Sequence, residues 1–149
     1  MKQLLLILSL TLGLTTAAFA QKFDADVKFE DLGPVHINIL DHASGGCWTN
    51  ILEAKSYAKG QLDIIGAKVV DDPNQAATSL EIQVLADRVP VSNRKLCHGE
   101  MEVKVIRWDK FKGIKTVIIF SSITRIALVS DNYNIYILDL IKEAVAEWK

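Results

Sequence analysis

Alternation with a period of two runs through the middle of this chain and constrains its fold more than any other feature. From Ser79 to Asp87, the apolar Leu80, Ile82, Val84 and Ala86 interleave with Ser79, Glu81, Gln83 and Asp87. A second stretch sets Met101, Val103 and Val105 against Glu100, Glu102 and Lys104. Successive side chains of an extended strand point to opposite faces, so each stretch predicts one packed face and one wet face. Thr116–Phe120 is a third, almost wholly apolar strand, reached through the turn Asp109–Gly113. A connection that short excludes a parallel crossover and predicts a hairpin. Ser121–Val129 stays β-branched and apolar, so the strand is expected to continue or bend there. Upstream, Val35–Leu40 alternates as a first strand, with Val35, Ile37 and Ile39 inward and His36 and Asn38 outward. A polar loop through Asn93–Lys95 is expected after Pro90, which closes the second strand.

Two segments change to helical spacing. Asn50 stands at a helix start with Glu53 three residues on, the sequence pattern of a capping box. Behind it Ile51, Leu52, Ala58, Leu62 and Ile65 predict an apolar stripe over about 50–65, and Gly66 is placed to end the helix. A short extended piece, Ala67–Val70, and the turn Asp71–Asn74 follow. Near the carboxyl end Ser130–Asp131 is the expected cap of a second helix. Its buried face is Ile137, Leu140 or Ile141, Ala144, Val145 and Trp148.

One-sided strands and one-sided helices must bury their apolar faces against each other. The expected fold is therefore α+β: a two-layer sandwich, a mostly antiparallel sheet of four to five strands with two helices packed on one face. The run Gly66-Ala67-Lys68-Val69-Val70-Asp71-Asp72 resembles the helix-to-strand turn of small periplasmic α+β modules such as the amino-terminal domain of the Tol-Pal translocation protein. That resemblance covers seven residues, none of them functional side chains, and implies the fold class alone.

The first twenty residues read as an export signal. Lys2 precedes the apolar run Leu4–Leu14, and Ala18-Phe19-Ala20 supplies small residues at −3 and −1 before Gln21. The run is shorter than the roughly 20 apolar residues that cross a bilayer. The expectation is a signal peptide over 1–20 and one α+β domain over 21–149, periplasmic or secreted, with no membrane insertion after cleavage. Residues 21–32, with Phe23, Val27 and Phe29 as anchors, are expected as an arm or a short edge strand. With 17 basic and 18 acidic residues the chain has no charge excess to drive binding to nucleic acid or to anionic lipid.

An exported chain with two cysteines, Cys47 and Cys97, has one intramolecular pairing open to it, and a disulfide is expected. Joining them would bring His42 and His98 toward one another. Those two with Asp41, or two free thiolates with the two histidines, give the alternative reading of a metal-binding protein or enzyme. The spacings match no zinc-ribbon or finger pattern. Cys47 before a helix start has the setting of an activated thiol but lacks a base and the C-x-x-C spacing. There is no G-x-S-x-G, and Gly45-Gly46 lacks the spacing and lysine of a phosphate loop. Asp71-Asp72 and the set Glu81, Glu100 and Glu102 read as solvated carboxylates. No complete catalytic or cofactor constellation is present, so no cofactor is expected. The remaining candidate is an interaction surface of Ile106, Trp108 and Phe111 on the open sheet face, for an unidentified protein or envelope component; the alternative is that the amino-terminal arm covers this patch through Phe23, Val27 and Phe29.

Overall fold

The computed structural model describes residues 33–111 and 114–148, apart from the side chains of residues 110, 111 and 114–116. The expected leader, the arm over 21–32 and the side chain of Phe111 lie outside the described residues. The elements are β1 (Val35–Ala43), α1 (Ile51–Ile64), β2 (Val69–Val70), a single 3-10 turn (Pro73–Gln75), β3 (Thr78–Val91), β4 (Arg94–Phe111), β5 (Ile114–Val129) and α2 (Asn134–Ala146). The strands form one sheet in the order β2-β1-β3-β4-β5. β1 runs parallel to both β2 and β3, whereas β3, β4 and β5 are joined antiparallel by hairpins. The sheet is therefore mixed and, by the length of its ladders, mostly antiparallel. With both helices against one side of it, this is an α+β fold.

Its packed face is the one the alternation marks. Leu80, Ile82 and Val84 of β3 and Met101, Val103 and Val105 of β4 are buried, with Val35 and Ile37 beside them on β1. From the helical layer come Ala54, Ala58 and Leu62 of α1 and Ile137, Leu140, Ile141, Ala144 and Val145 of α2, while Trp148 is partly buried against them. Each large aliphatic side chain sequestered this way contributes about 1.5–3 kcal/mol. The choice between Leu140 and Ile141 is resolved by burying both. α1 lies over β1 and β2 and α2 over β4 and β5, the two helices packing against each other.

Several local expectations are corrected. Leu52, expected in the buried stripe, is 84 % exposed, as is Ile64 (67 %), which lay outside that stripe. Each sits two residues from a core-facing position (Ala54 and Leu62), which at 100° per residue is the far side of the helix. The capping box does not form: Asn50 occupies the N-cap without a side-chain cap bond. Its Oδ1 accepts from Trp48 Nε1 (3.0 Å) and its Nδ2 donates to Glu53 Oε2 (2.9 Å). The amide serves the loop and the neighbouring helix instead, with Nδ2 also 3.3 Å from the Asn134 carbonyl. α2 begins three residues later than its expected cap, at N-cap Tyr133, with Asn132 Oδ1 accepting from the Asn134 N–H (3.1 Å). The polar loop after Pro90 is a tight turn: β3 runs to Val91 and β4 starts at Arg94, with Ser92 at φ 54°. Gly66 does end α1, at φ 80°. Its N–H donates to Asp63 and that of Ala67 to Leu62, the paired bonds of a Schellman end.

The strand through 121–129 continues, with one irregularity. Val105 pairs with Ser121 but Ile106 pairs with Ile119, so Phe120 is an extra residue, a β-bulge on β5. Of the described glycines, Gly99 leaves the least room for a side chain. A Cβ there would lie 2.2 Å from the Leu85 carbonyl oxygen and 2.5 Å from Ala86 Cα.

Candidate functional site

The helices cover one side of the sheet, and the other side of the strands forms a broad face built on β1, β3, β4 and β5. Its centre is polar. Lys104 Nζ on β4 lies 3.4 Å from Glu81 Oε1 of β3 and 3.1 Å from Glu102 Oε2 on its own strand. Ser122 of β5 donates to Glu102 Oε1 (2.8 Å), which extends the belt to the last strand. Burial alone would lower the Lys104 pKa. The hydrogen bond and charge of Glu102, joined by Glu81, outweigh that and hold the ammonium above its ordinary range. Glu81 and Glu102 do share one face, as the alternation implies, and Lys104 neutralises them in place. That arrangement suits a solvated structural belt. An acid–base pair would need one carboxyl to keep its proton.

Apolar groups flank the belt at both ends. Toward the β4–β5 hairpin, Trp108 (51 % exposed) stands opposite Val117, and Ile119 is 60 % exposed. Toward the other end, Leu85 of β3 and Ile126 of β5 both pair with Glu100, and Leu128 pairs with His98. Leu85, Ile126 and Leu128 are all more than half exposed. Isolated apolar residues are ordinary on a protein surface, but grouped ones on one face mark a place where something else packs. Of the expected surface residues, Trp108 lies on this open face and is half exposed. Ile106 is corrected: it lies on this face but only 4 % of it reaches solvent, with Ser79, Ile119, Lys104 and Trp108 as its register neighbours. It backs the surface without forming it. Leu85, Val117, Ile119, Ile126 and Leu128 are the residues sequence reasoning missed. For Ile126 and Leu128 the signal was the continuing alternation beyond residue 121, broken in phase by the bulge at Phe120.

Cys47 and Cys97 are joined, with their Cα atoms 5.5 Å apart. The bridge ties β4 to the loop entering α1 and is buried. Around it, Arg88 Nε donates to the Gly45 carbonyl (2.6 Å) and Arg88 Nη2 to the Asp131 carbonyl (2.9 Å). The Tyr133 N–H donates to the Cys47 carbonyl (2.7 Å). The Tyr133 hydroxyl donates to the Ala127 carbonyl (2.6 Å). Burial raises its pKa, offset in part by a hydrogen bond from the Gly99 backbone. The bridge does not bring the histidines together. His42 pairs with Leu85 and His98 pairs with Asp87, so β3 runs between them. Two strand spacings and a two-residue offset along the strands put them about 12 Å apart, beyond the reach of one ion. Asp41 alternates to the opposite face from His42 and accepts from the Ala43 N–H (3.0 Å). Among the described residues no group of three or more His, Cys, Asp and Glu is arranged to hold a metal ion.

No protein-family model matches the sequence, and comparison with curated proteins finds no match. Solved structures of similar outline include a PelC variant from Paraburkholderia phytofirmans, solved as a dodecamer. It is 15% identical, with TM-score 0.49, and the match covers 78% of this chain and 87% of that one. The hypothetical protein CT253 from Chlamydia trachomatis is 11% identical at TM-score 0.47, covering 77% and 94%. Lipoprotein GNA1162 from Neisseria meningitidis is 13% identical at TM-score 0.38, covering 77% and 96%.

Proposed function

We propose that this chain is an exported, non-enzymatic binding or accessory module of the bacterial envelope, which meets a protein component there through its open sheet face. The observation that carries this reading is the pair of exposed apolar groups, Trp108 with Val117 and Ile119, and Leu85 with Ile126 and Leu128. Both stand on the face the helices leave uncovered. The ion-paired belt between them keeps that face wet in the free protein and fixes the register of whatever packs on it. Two further features support the reading: the export-type leader in the sequence, and the buried disulfide, which persists in an oxidising compartment. Among the described residues no helix is long and apolar enough to cross a membrane.

The test is capture from detergent-solubilised envelope with the processed chain, run beside Trp108→Ser. A half-exposed tryptophan at a contact is the side chain most costly to truncate, by about 2 kcal/mol or more, or about thirtyfold in affinity. The expected result is a partner recovered by the native chain and lost with the variant, whose circular dichroism is unchanged. Equal recovery by both would remove the face from the reading, and an intact mass retaining residues 1–20 would remove export from it.

A further inference from the structure

β5 ends the sheet, so every backbone group it directs away from β4 is without a strand partner among the described residues. Proteins guard such edges with short strands, charges, proline or a covering element. From Val117 to Val129 this edge runs about 44 Å at strand rise. It contains no proline, and Arg125, its one charged residue over that span, is ion-paired to Glu143 of α2 on the helical side. The other end of the sheet is different: β2 is two residues long.

Among the described residues the remaining device is the bulge, which also sets what the edge presents. Because Phe120 is the extra residue, Val117 and Ile119 share the open face with Ser122, Thr124, Ile126 and Leu128. Without it the odd-numbered pair would turn toward the helices. Along the edge the face reads apolar, apolar, polar, polar, apolar, apolar, which is the same in both directions. If the bulge is counted as one step, an antiparallel copy sets Val117 beside Leu128, Ile119 beside Ile126 and Ser122 beside Thr124. Self-complementarity of this kind is what a twofold interface requires, since each residue must suit its symmetry mate's neighbour.

We propose that the outer edge of β5 pairs antiparallel with β5 of a second copy of this chain, about a twofold axis at Ile123. The axis stands normal to the sheet, so a ten-stranded sheet results with all four helices on one side and both open faces on the other. The ladder supplies about ten hydrogen bonds, the number a standard interface carries. Cross-strand pairing of Ile119 with Ile126 adds apolar contact at both ends. The pairing shares Val117, Ile119, Ile126 and Leu128 with the face proposed above but runs through the backbone edge of β5, so Trp108→Ser, which leaves that edge intact, separates the two.

Sedimentation and light scattering of the processed chain test it. The native protein is expected as a dimer, with Trp108→Ser also dimeric. Ile119→Lys and Ile126→Glu change side chains that are 60 % and 73 % exposed, so both variants fold. Each alone is expected as a monomer, because a charge is placed against isoleucine twice per interface. An equimolar mixture of the two variants recovers a heterodimer, in which the introduced ammonium of one copy faces the introduced carboxylate of the other. A native protein that is monomeric at every concentration reached would overturn the proposal. So would single variants that stay dimeric, or a mixture that stays monomeric.

Discussion

Gly99 shows how a single hydrogen atom in place of a methyl group sets the spacing of two strands. Opposite Ala86, it leaves no room for a Cβ, which would meet the Leu85 carbonyl oxygen and the Ala86 backbone. Backbone cannot yield as a flexible side chain can, so β3 and β4 would have to part next to Cys97. Gly99→Ala is expected to destabilise the fold by about 1–3 kcal/mol, the range for forced overpacking. Equilibrium urea denaturation measures it, and an unchanged midpoint would show that the strands have slack there. Tyr133 is the counterpart on the helical side. Its ring is buried, its hydroxyl reaches the Ala127 carbonyl, and its N–H reaches the carbonyl of Cys47. One residue thereby joins β5, the bridged loop and the start of α2. Nothing in the sequence distinguished Tyr133 from any other aromatic residue, because its partners are backbone carbonyls that only the fold assembles.

At the scale of the element, the belt of Glu81, Lys104 and Glu102 makes alkaline pH the condition that tests the sheet. Lys104 has its pKa raised in the fold, so the fold holds this proton more tightly than the unfolded chain does. Its contribution to stability is complete below the ordinary lysine pKa and is lost as pH rises through the raised one. Tyr133, also raised, acts in the same direction over a neighbouring range. Thermal unfolding from about pH 8 to about pH 11 should show a fall in melting temperature at the upper end. Lys104→Met should start lower and fall less steeply. A variant with the native slope would mean the belt contributes nothing to the alkaline limb. The strands themselves were legible in advance wherever one face is dry and the other wet: β3 and the middle of β4 have the alternation, the facing and the carboxylate side expected of them. The helix starts were less so. Asn50, Ser130 and Asp131 are all good capping residues, yet the amide of Asn50 serves Trp48 and Glu53, and α2 begins beyond Asp131. Polar side chains near a helix start have several backbone and side-chain partners within reach, and tertiary contacts decide among them.

For the whole molecule, the disulfide clamps a core that is already substantial. It joins residues 50 apart, for which chain-entropy estimates give about 4 kcal/mol, at the upper side of what such bridges deliver. Reduction should therefore lower the denaturation midpoint by the equivalent of about 2–4 kcal/mol while far-ultraviolet circular dichroism stays native. A collapse of secondary structure on reduction would show that the bridge holds the fold up. The candidate surface was legible only in part. Trp108 was singled out because tryptophan on a wet face is conspicuous. The second apolar group was hidden because its members come from β3 and β5, two strands separated by β4, and because the bulge shifts the phase of β5 by one residue. A period-two pattern cannot show where a strand gains a residue, and pairing across the sheet is a long-range fact.

If the open side of the sheet is the contact surface proposed above, it and not the helical layer should be shielded in the envelope. Residue-resolved oxidative footprinting of the protein in isolated envelope, set against the dilute purified chain, measures that directly. Protection is expected at Trp108, Leu85, Ile126 and Leu128, with Leu52, Ile64 and Ile135 on the helices labelled equally in both. Protection of the helical residues, with the sheet face labelled as freely as in dilute solution, would contradict it.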